Sequence, residues 1–214
     1  MQFAAAVDRL TTLRESSPAS LPEGPVELMP VFSDGRLRPR LGASSTARPA
    51  AVLVLVFPDR DGEAHLVLTE RLSYDGYHSG EVSFPGGKAE QGDVDAAATA
   101  LREAAEEVGL DRAAADVRVL GTLGQVFIPA SDFRITPVVA LAAGDVVLTP
   151  SEAEVARIIV PPVDAFLPGA AIEMVERTIG DRPLRYGGYR IDGLHVWGAT
   201  ARILGQLGAV LGSS

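Results

Sequence analysis

Residues Gly87 to Leu110 read G-K-A-E-Q-G-D-V-D-A-A-A-T-A-L-R-E-A-A-E-E-V-G-L. Glu103, Glu106 and Glu107 stand at i, i+3 and i+4, a spacing that places them on one face of a helix within a single turn. Ala97, Leu101, Ala104, Ala105 and Val108 follow the apolar helical rule on the opposite face. The pattern predicts a helix that packs on a core and holds three acids outward. Either Asp93 or Asp95 supplies its N-cap, and Gly109 stops it as a glycine at C′.

Holding those acids together costs free energy. Like charges at i, i+4 destabilise a helix by roughly 0.2–0.5 kcal/mol per pair, and no lysine lies between Val94 and Gly109 to offset them. Glu106 and Glu107 also fall in the last turn, where the helix dipole disfavours anions. A solvated acidic face is the simplest alternative, since such faces are common. A hard divalent cation would offset both penalties. Mg²⁺ takes oxygen ligands, keeps several waters and bridges to substrate phosphates.

The stretch resembles the signature of the Nudix hydrolases: Gly, five residues, Glu, seven residues, then Arg-Glu-aliphatic-x-Glu-Glu-x-Gly-aliphatic. Arg102-Glu103-Ala104-Ala105-Glu106-Glu107-Val108-Gly109-Leu110 matches the second half at every fixed position. In the first half Gly87 is in place, Asp93 stands for the expected Glu, and eight residues rather than seven separate it from Arg102. An extra residue with Asp resembles the coenzyme A pyrophosphatase branch of the family.

A block just upstream is similar to the segment that precedes the box in that branch. It comprises Leu68-Thr69-Glu70-Arg71 and Gly80-Glu81-Val82-Ser83-Phe84-Pro85-Gly86-Gly87. His78 falls where the branch often has His, Leu72 replaces a small residue, and Gly76 stands where the branch usually has Arg. That departure bears on the coenzyme A assignment. Arg71, Lys88 and His78 are the phosphate-contact candidates. Tyr74 and Tyr77 either stack an adenine or pack. The run His195 to Leu204 resembles the branch's terminal helix, with Trp197 expected in the core and His195 as an exposed helix-start residue.

Length and composition accord with that resemblance. The 214 residues fit one domain with a short appendage, and 47% apolar with 22% charged residues is ordinary for a globular protein. Residues 1–45 are expected to form an N-terminal helix and extended lead-in, and 46–214 the Nudix domain. A net charge of −9 opposes non-specific nucleic-acid binding, which needs a basic surface. It leaves a phosphate substrate open, because metal ions neutralise a site locally. With no cysteine, disulfides, thiol catalysis and thiolate metal sites are excluded. No segment approaches the ~18 apolar residues of a membrane span, and Met1 to Leu10 lacks a basic lead. A cytoplasmic enzyme is expected, and the sequence leaves open whether it forms a homodimer.

Outward from the box, Gln2 to Arg14 reads as an amphipathic helix and Ser16 to Gly42 as a Pro-, Gly- and Ser-rich lead-in. Strands are expected at Ala50–Phe57, His65–Glu70, Gly80–Phe84, Val117–Val126, Phe133–Leu141 and Val155–Val160. Gly86-Gly87 is expected to form a tight turn. A short helix, a hairpin from Ala171 to Ile191 and a final helix from Val196 to about Leu211 follow. Strands interleaved with two long helices suggest a mixed sheet between helices. The resemblance implies an α/β fold, the Nudix α/β/α sandwich.

The resemblance implies metal-assisted hydrolysis of a diphosphate linked to another group. Glu103 and Glu107 are the expected metal ligands. Glu106 is a third ligand or holds metal-bound water, and the Gly87 carbonyl matches the family's further ligand. The metal that the resemblance implies is Mg²⁺ or Mn²⁺. Arg102 is expected to orient a glutamate through a charged hydrogen bond. The catalytic base in this family is either a box glutamate or an acid from a later loop, where Glu152 and Glu154 stand. Coenzyme A or a derivative is the expected substrate, giving 3′,5′-ADP and 4′-phosphopantetheine. ADP-ribose, NADH or a dinucleoside polyphosphate is the alternative, and a nucleotide-binding module without catalysis the third reading.

Overall fold

The computed structural model describes residues 1–32, 46–72, 80–179 and 182–213. Its helices are α1 (Phe3–Thr11), α2 (Ala96–Val108) and α3 (Gly198–Gly212). The strands begin with β1 (Val31–Phe32), β2 (Arg48–Pro58), β3 (Ala64–Leu66), β4 (Leu68–Arg71), β5 (Val82–Ser83) and β6 (Gly86–Lys88). After α2 come β7 (Val117–Thr122), β8 (Val126–Ile128), β9 (Phe133–Ala142), β10 (Val155–Ile159), β11 (Glu173–Ile179), β12 (Arg182–Ile191) and β13 (Leu194–Val196).

Strand β2 divides the core. Successive side chains point to opposite faces, so Ala51, Leu53, Leu55 and Phe57 join Ala100, Ala104 and Val108 of α2. Val54 and Val56 join Leu10 of α1 and Ala201, Leu204 and Leu207 of α3 on the other side. Each fully buried leucine contributes about 1.5–3 kcal/mol. β2 runs parallel to β9, from Arg48 opposite Phe133 to Val56 opposite Leu141. β3 and β6 pair antiparallel to β2, and β7 and β8 antiparallel to β9. The result is a mixed sheet between helices, the α/β/α arrangement expected from the sequence. Two smaller antiparallel sheets flank it, β10-β4-β5 and β1-β12-β11 with β13 on β12. Among the described residues no helix is long and apolar enough to cross a membrane.

Several boundaries differ from expectation. The strand expected from His65 to Glu70 is two: β3 pairs with β2, while β4 leaves it for β10 and β5. Gly86-Gly87 is not a turn but part of a strand, with Val52 opposite Gly86 and Ala51 opposite Gly87. The backbones are so close that a Cβ on Gly86 would collide with the Ala51 carbonyl and Val52 Cα. The first helix ends at Thr11 and tightens into a 3₁₀ turn over Thr12–Arg14. The last begins at Gly198, because Leu194–Val196 is held as a strand on β12.

Helix α2 starts and stops as its local chemistry dictates. Asp95, not Asp93, is the N-cap, its Oδ1 accepting from the Ala98 N–H at 2.8 Å. Gly109 ends the helix at φ +64, a left-handed conformation that glycine adopts without Cβ strain. The buried stripe is Ala100, Ala104 and Val108, so the helix is rotated from the expected orientation. Ala105, expected on the apolar face, is exposed, and Glu107, expected outward, is buried.

Candidate functional site

That rotation builds the site. Glu107 is only 3% exposed. Its Oε2 accepts from the Gly86 N–H at 3.2 Å, and its Oε1 lies 3.9 Å from Arg71 Nη1. Burial pushes the carboxyl up from 4.5 to about 7, because an ion taken out of water is destabilised relative to its neutral acid. The Gly86 N–H and the Arg71 charge oppose that rise, while Glu103 and Glu154 add to it.

Glu103 lies one turn earlier, against β6. A Cβ on Gly87 would come 2.5 Å from Glu103 Oε1 and 2.7 Å from Oε2, so only glycine lets this carboxylate rest on the strand. Burial pushes Glu103 up as well, with Arg102 opposing. Glu106 stands apart from the pair, with a 57% exposed side chain. The three glutamates therefore do not form one solvated face. Two are drawn against the glycine strand and one is in water.

Arg102 ties the group together. Its Nη1 donates to Glu103 Oε1 and to Glu106 Oε2, both at 3.0 Å. Nε donates to Asp93 Oδ1 at 3.2 Å, and Nη2 to Asp93 Oδ2 at 3.0 Å and the Lys88 carbonyl at 3.1 Å. A guanidinium has five N–H donors, and these contacts use them all. Arg102 thus orients carboxylates and keeps no donor for a substrate. It also offsets the like-charge repulsion that the missing lysines left unanswered.

The departure at Asp93 becomes intelligible here. Besides Arg102, Asp93 accepts from Thr99 Oγ1 and from the Glu90 N–H, each at 2.9 Å. These donors hold its carboxyl well below the usual range, Arg102 first. Sequence reasoning offered Asp93 as a cap and as the stand-in for the signature's Glu, and did not see its partners Arg102 and Thr99. The signal was Thr99 standing among alanines, a hydroxyl on the face that Ala100 and Ala104 bury.

The remaining candidates divide. Arg71 sits at the site, with a buried Nε that has no hydrogen-bond partner among the described residues. Glu154 is exposed on the loop between β9 and β10, close enough for its charge to act on both Glu103 and Glu107. That loop is pinned to the helix end, the Ser151 N–H donating to the Glu107 carbonyl at 2.8 Å. Glu152 is exposed. Lys88 points to solvent with a loose 3.8 Å pairing to Glu90. Gly76, His78, Tyr74 and Tyr77 lie outside the described residues. Phe84 is in the core, 2% exposed. Trp197 stacks on Tyr186 with ring centroids 4.8 Å apart. His195 is not an exposed helix-start residue: it sits in β13, with both ring nitrogens buried.

The donor set suits a hard divalent cation. It offers carboxylate oxygens and a glycine strand whose backbone can be approached closely, and a buried Glu107 whose negative charge calls for a cation. Among the described residues no three acidic or imidazole side chains stand gathered around one centre. Glu103 and Glu106 are turned instead to Arg102. A cavity of about 210 Å³ opens beside Asp93 and Thr99 at the other end of the helix, and none of the three glutamates lines it.

The NUDIX domain model matches residues 47–177, more than half of the chain. This chain belongs to the Nudix family. Nudix hydrolases generally need divalent metal ions. Nudix hydrolase 15, mitochondrial, of Arabidopsis thaliana is 38% identical over 161 residues, covering 72% of this chain and 55% of that protein. The chain thus spans about half the length of the plant relatives it matches. A protein named "Uncharacterized Nudix hydrolase NudL" from Cronobacter sakazakii is 36% identical over 182 residues, covering 82% of this chain and 90% of that one. Among solved structures, a Nudix hydrolase from M. smegmatis, RenU, is 23% identical, covers 64% of this chain and 80% of its own, and superposes with a TM-score of 0.46.

Proposed function

We propose that this Nudix protein is a cytoplasmic pyrophosphatase that hydrolyses the diphosphate bond of a nucleoside diphosphate derivative, with coenzyme A or one of its derivatives as substrate. The observation that carries this reading is the pair of one-turn-spaced carboxylates, Glu103 and Glu107, drawn against the Gly86-Gly87 strand beside Arg71. Glu103, Glu107 and the Gly87 carbonyl would hold Mg²⁺ or Mn²⁺, with Glu106 supplying a further oxygen or holding a bound water. Such an ion, when bound, would neutralise charge on the diphosphate and lower the pKa of a bound water.

The chain's own groups do the rest. Arg71 faces the non-bridging oxygens, its buried Nε, which has no hydrogen-bond partner among the described residues, being the donor that a phosphate would satisfy. Arg102 acts through Glu103 and Glu106 rather than on substrate. Glu154 takes the proton from the attacking water. The new P–O bond forms as the bridging P–O bond breaks, leaving two phosphate monoesters, 3′,5′-ADP and 4′-phosphopantetheine from coenzyme A. His78 and Lys88 are the further phosphate-contact candidates that the sequence offers. The test is product analysis with Mg²⁺ or Mn²⁺, giving the protein coenzyme A, ADP-ribose, NADH and diadenosine polyphosphates side by side. Release of 3′,5′-ADP from coenzyme A is expected. Cleavage of another substrate would discard the coenzyme A reading and keep the chemistry. No cleavage of any would favour a binding module.

A further inference from the structure

We propose that Ser151 is a positioning residue for the reaction: its backbone ties the loop that carries Glu154 to the last turn of α2, so that Glu154 and Glu107 keep one fixed spacing. The inference rests on the reading above, in which Glu107 holds a metal and Glu154 takes the proton. Residues 143–154 join β9 to β10 without helix or strand. A connection of that length inside a compact domain is usually either functional or disordered. This one is laced down. The Gly144 N–H donates to the Ala115 carbonyl at 3.0 Å, and Val146 and Leu148 pack against the core cluster that holds Ala104 and Val108 of α2.

The lacing ends on the helix itself. The last carbonyls of a helix have no partner within it. In α2 the Val108 carbonyl accepts from the Thr149 N–H at 2.9 Å, and the Glu107 carbonyl from the Ser151 N–H at 2.8 Å. The Ser151 carbonyl in turn accepts from the Glu154 N–H at 3.1 Å and the Val155 N–H at 2.9 Å. One residue therefore links the backbone of Glu107 to that of Glu154 through two hydrogen bonds. On its other side Glu154 is held by β4: its carbonyl accepts from the Leu72 N–H at 3.2 Å, and Val155 lies opposite Arg71. The exposed Glu154 is thus delivered by a backbone clamped between the metal helix and the strand of Arg71. A misplacement of about 1 Å costs a reaction on the order of 10²-fold, so this link acts on kcat. Metal binding uses the Glu107 side chain, which the Gly86 N–H holds separately. What Ser151 contributes is an N–H, which every residue except proline supplies.

The experiment measures Mn²⁺ affinity by calorimetry, and kcat and KM with saturating Mn²⁺, on the full chain in a four-protein cycle. The substrate is coenzyme A, or whichever of the four compounds above the protein cleaves. Ser151→Pro deletes the donor and is expected to lower kcat about 10–100-fold, with KM and Mn²⁺ affinity within about twofold of the parent. Ser151→Ala keeps the N–H and should match the parent. In a Glu154→Gln background Ser151→Pro is expected to change kcat less than about twofold, because residues that act as a unit are not additive. Equal loss of kcat with and without Glu154, or a parallel loss of Mn²⁺ affinity, would mean that the substitution only disturbs the helix end, and would overturn the proposal. Unchanged kcat in Ser151→Pro would overturn it too. If Ser151→Pro does not fold, Leu148→Ala loosens the loop by removing its apolar anchor. Exchange of the Ser151 amide should then quicken, and kcat fall, by about threefold or more together. Faster exchange without loss of kcat would again overturn the proposal. A parent that cleaves none of the four compounds, or a Glu154→Gln protein as active as the parent, would instead sink the catalytic reading and this inference with it.

Discussion

Replacing Glu107 by glutamine should make the metal-free protein more stable while removing its metal site. The glutamine side chain has nearly the same shape, and its amide oxygen can still accept from the Gly86 N–H that now reaches Oε2 at 3.2 Å. What disappears is the buried charge. Burial raises this carboxyl from 4.5 to about 7, so the folded protein binds the proton more tightly than the unfolded chain. The group's contribution to stability is therefore fully present below pH 4.5 and is lost as pH rises through 7. At about 1.36 kcal/mol per pH unit, the loss amounts to about 3 kcal/mol. In EDTA at pH 8, Glu107→Gln should melt higher than the parent by roughly 6–12 °C. At pH 4 the difference should vanish. Groups common to both proteins cancel in that comparison. Mn²⁺ at pH 8 should raise the melting temperature of the parent and leave the variant unmoved, since a ligand stabilises only the state it binds. The assay is thermal denaturation by circular dichroism across pH, with and without metal. A variant no more stable than the parent in EDTA at pH 8 would refute the buried-charge argument. Equal stabilisation of both by Mn²⁺ would refute the ligand assignment.

The other expectations are shorter. Gly87→Ala should place a methyl 2.5 Å from Glu103 Oε1, displacing that carboxylate; Mn²⁺ affinity measured by titration should fall at least about tenfold, with the fold retained by circular dichroism. Glu154→Gln should lower kcat by roughly 10²–10⁴ and leave Mn²⁺ binding intact. A variant as active as the parent would return the base role to a box glutamate. Arg71→Gln should raise KM for the diphosphate substrate by about tenfold or more, and steady-state kinetics checks this. Leu55→Ala, at a side chain 1% exposed between the sheet and α2, should cost about 2–5 kcal/mol in urea denaturation.

What could be read along the chain is what local chemistry dictates. The apolar run from Ala50 to Phe57 is long enough and β-branched enough to be a strand wherever it lands. Helix α2 follows from its own periodicity, from a capping Asp95 and from Gly109, whose left-handed turn needs nothing from elsewhere. The spacing from Gly87 to Leu110 named the family. Other features depended on residues distant in sequence. Helical period places Glu103, Glu106 and Glu107 on one side, but only the packing of Ala100, Ala104 and Val108 on β2 decides how far the helix turns. That rotation buries Glu107 against Gly86 and leaves Glu106 in water. Strand β6 exists because β2 lies beside it, and β3 separates from β4 because their partners belong to different sheets. Asp93 and Arg102 meet because the loop before α2 returns to the helix face, bringing a carboxylate to a guanidinium nine residues on. Sequence alone determined the family, the signature helix and the presence of three acids, because propensity, capping and periodicity act over a few residues. Tertiary structure alone decided which acid is buried, which is solvated and which cation holds them, because burial and charge pairing are set by neighbours that only the fold brings together.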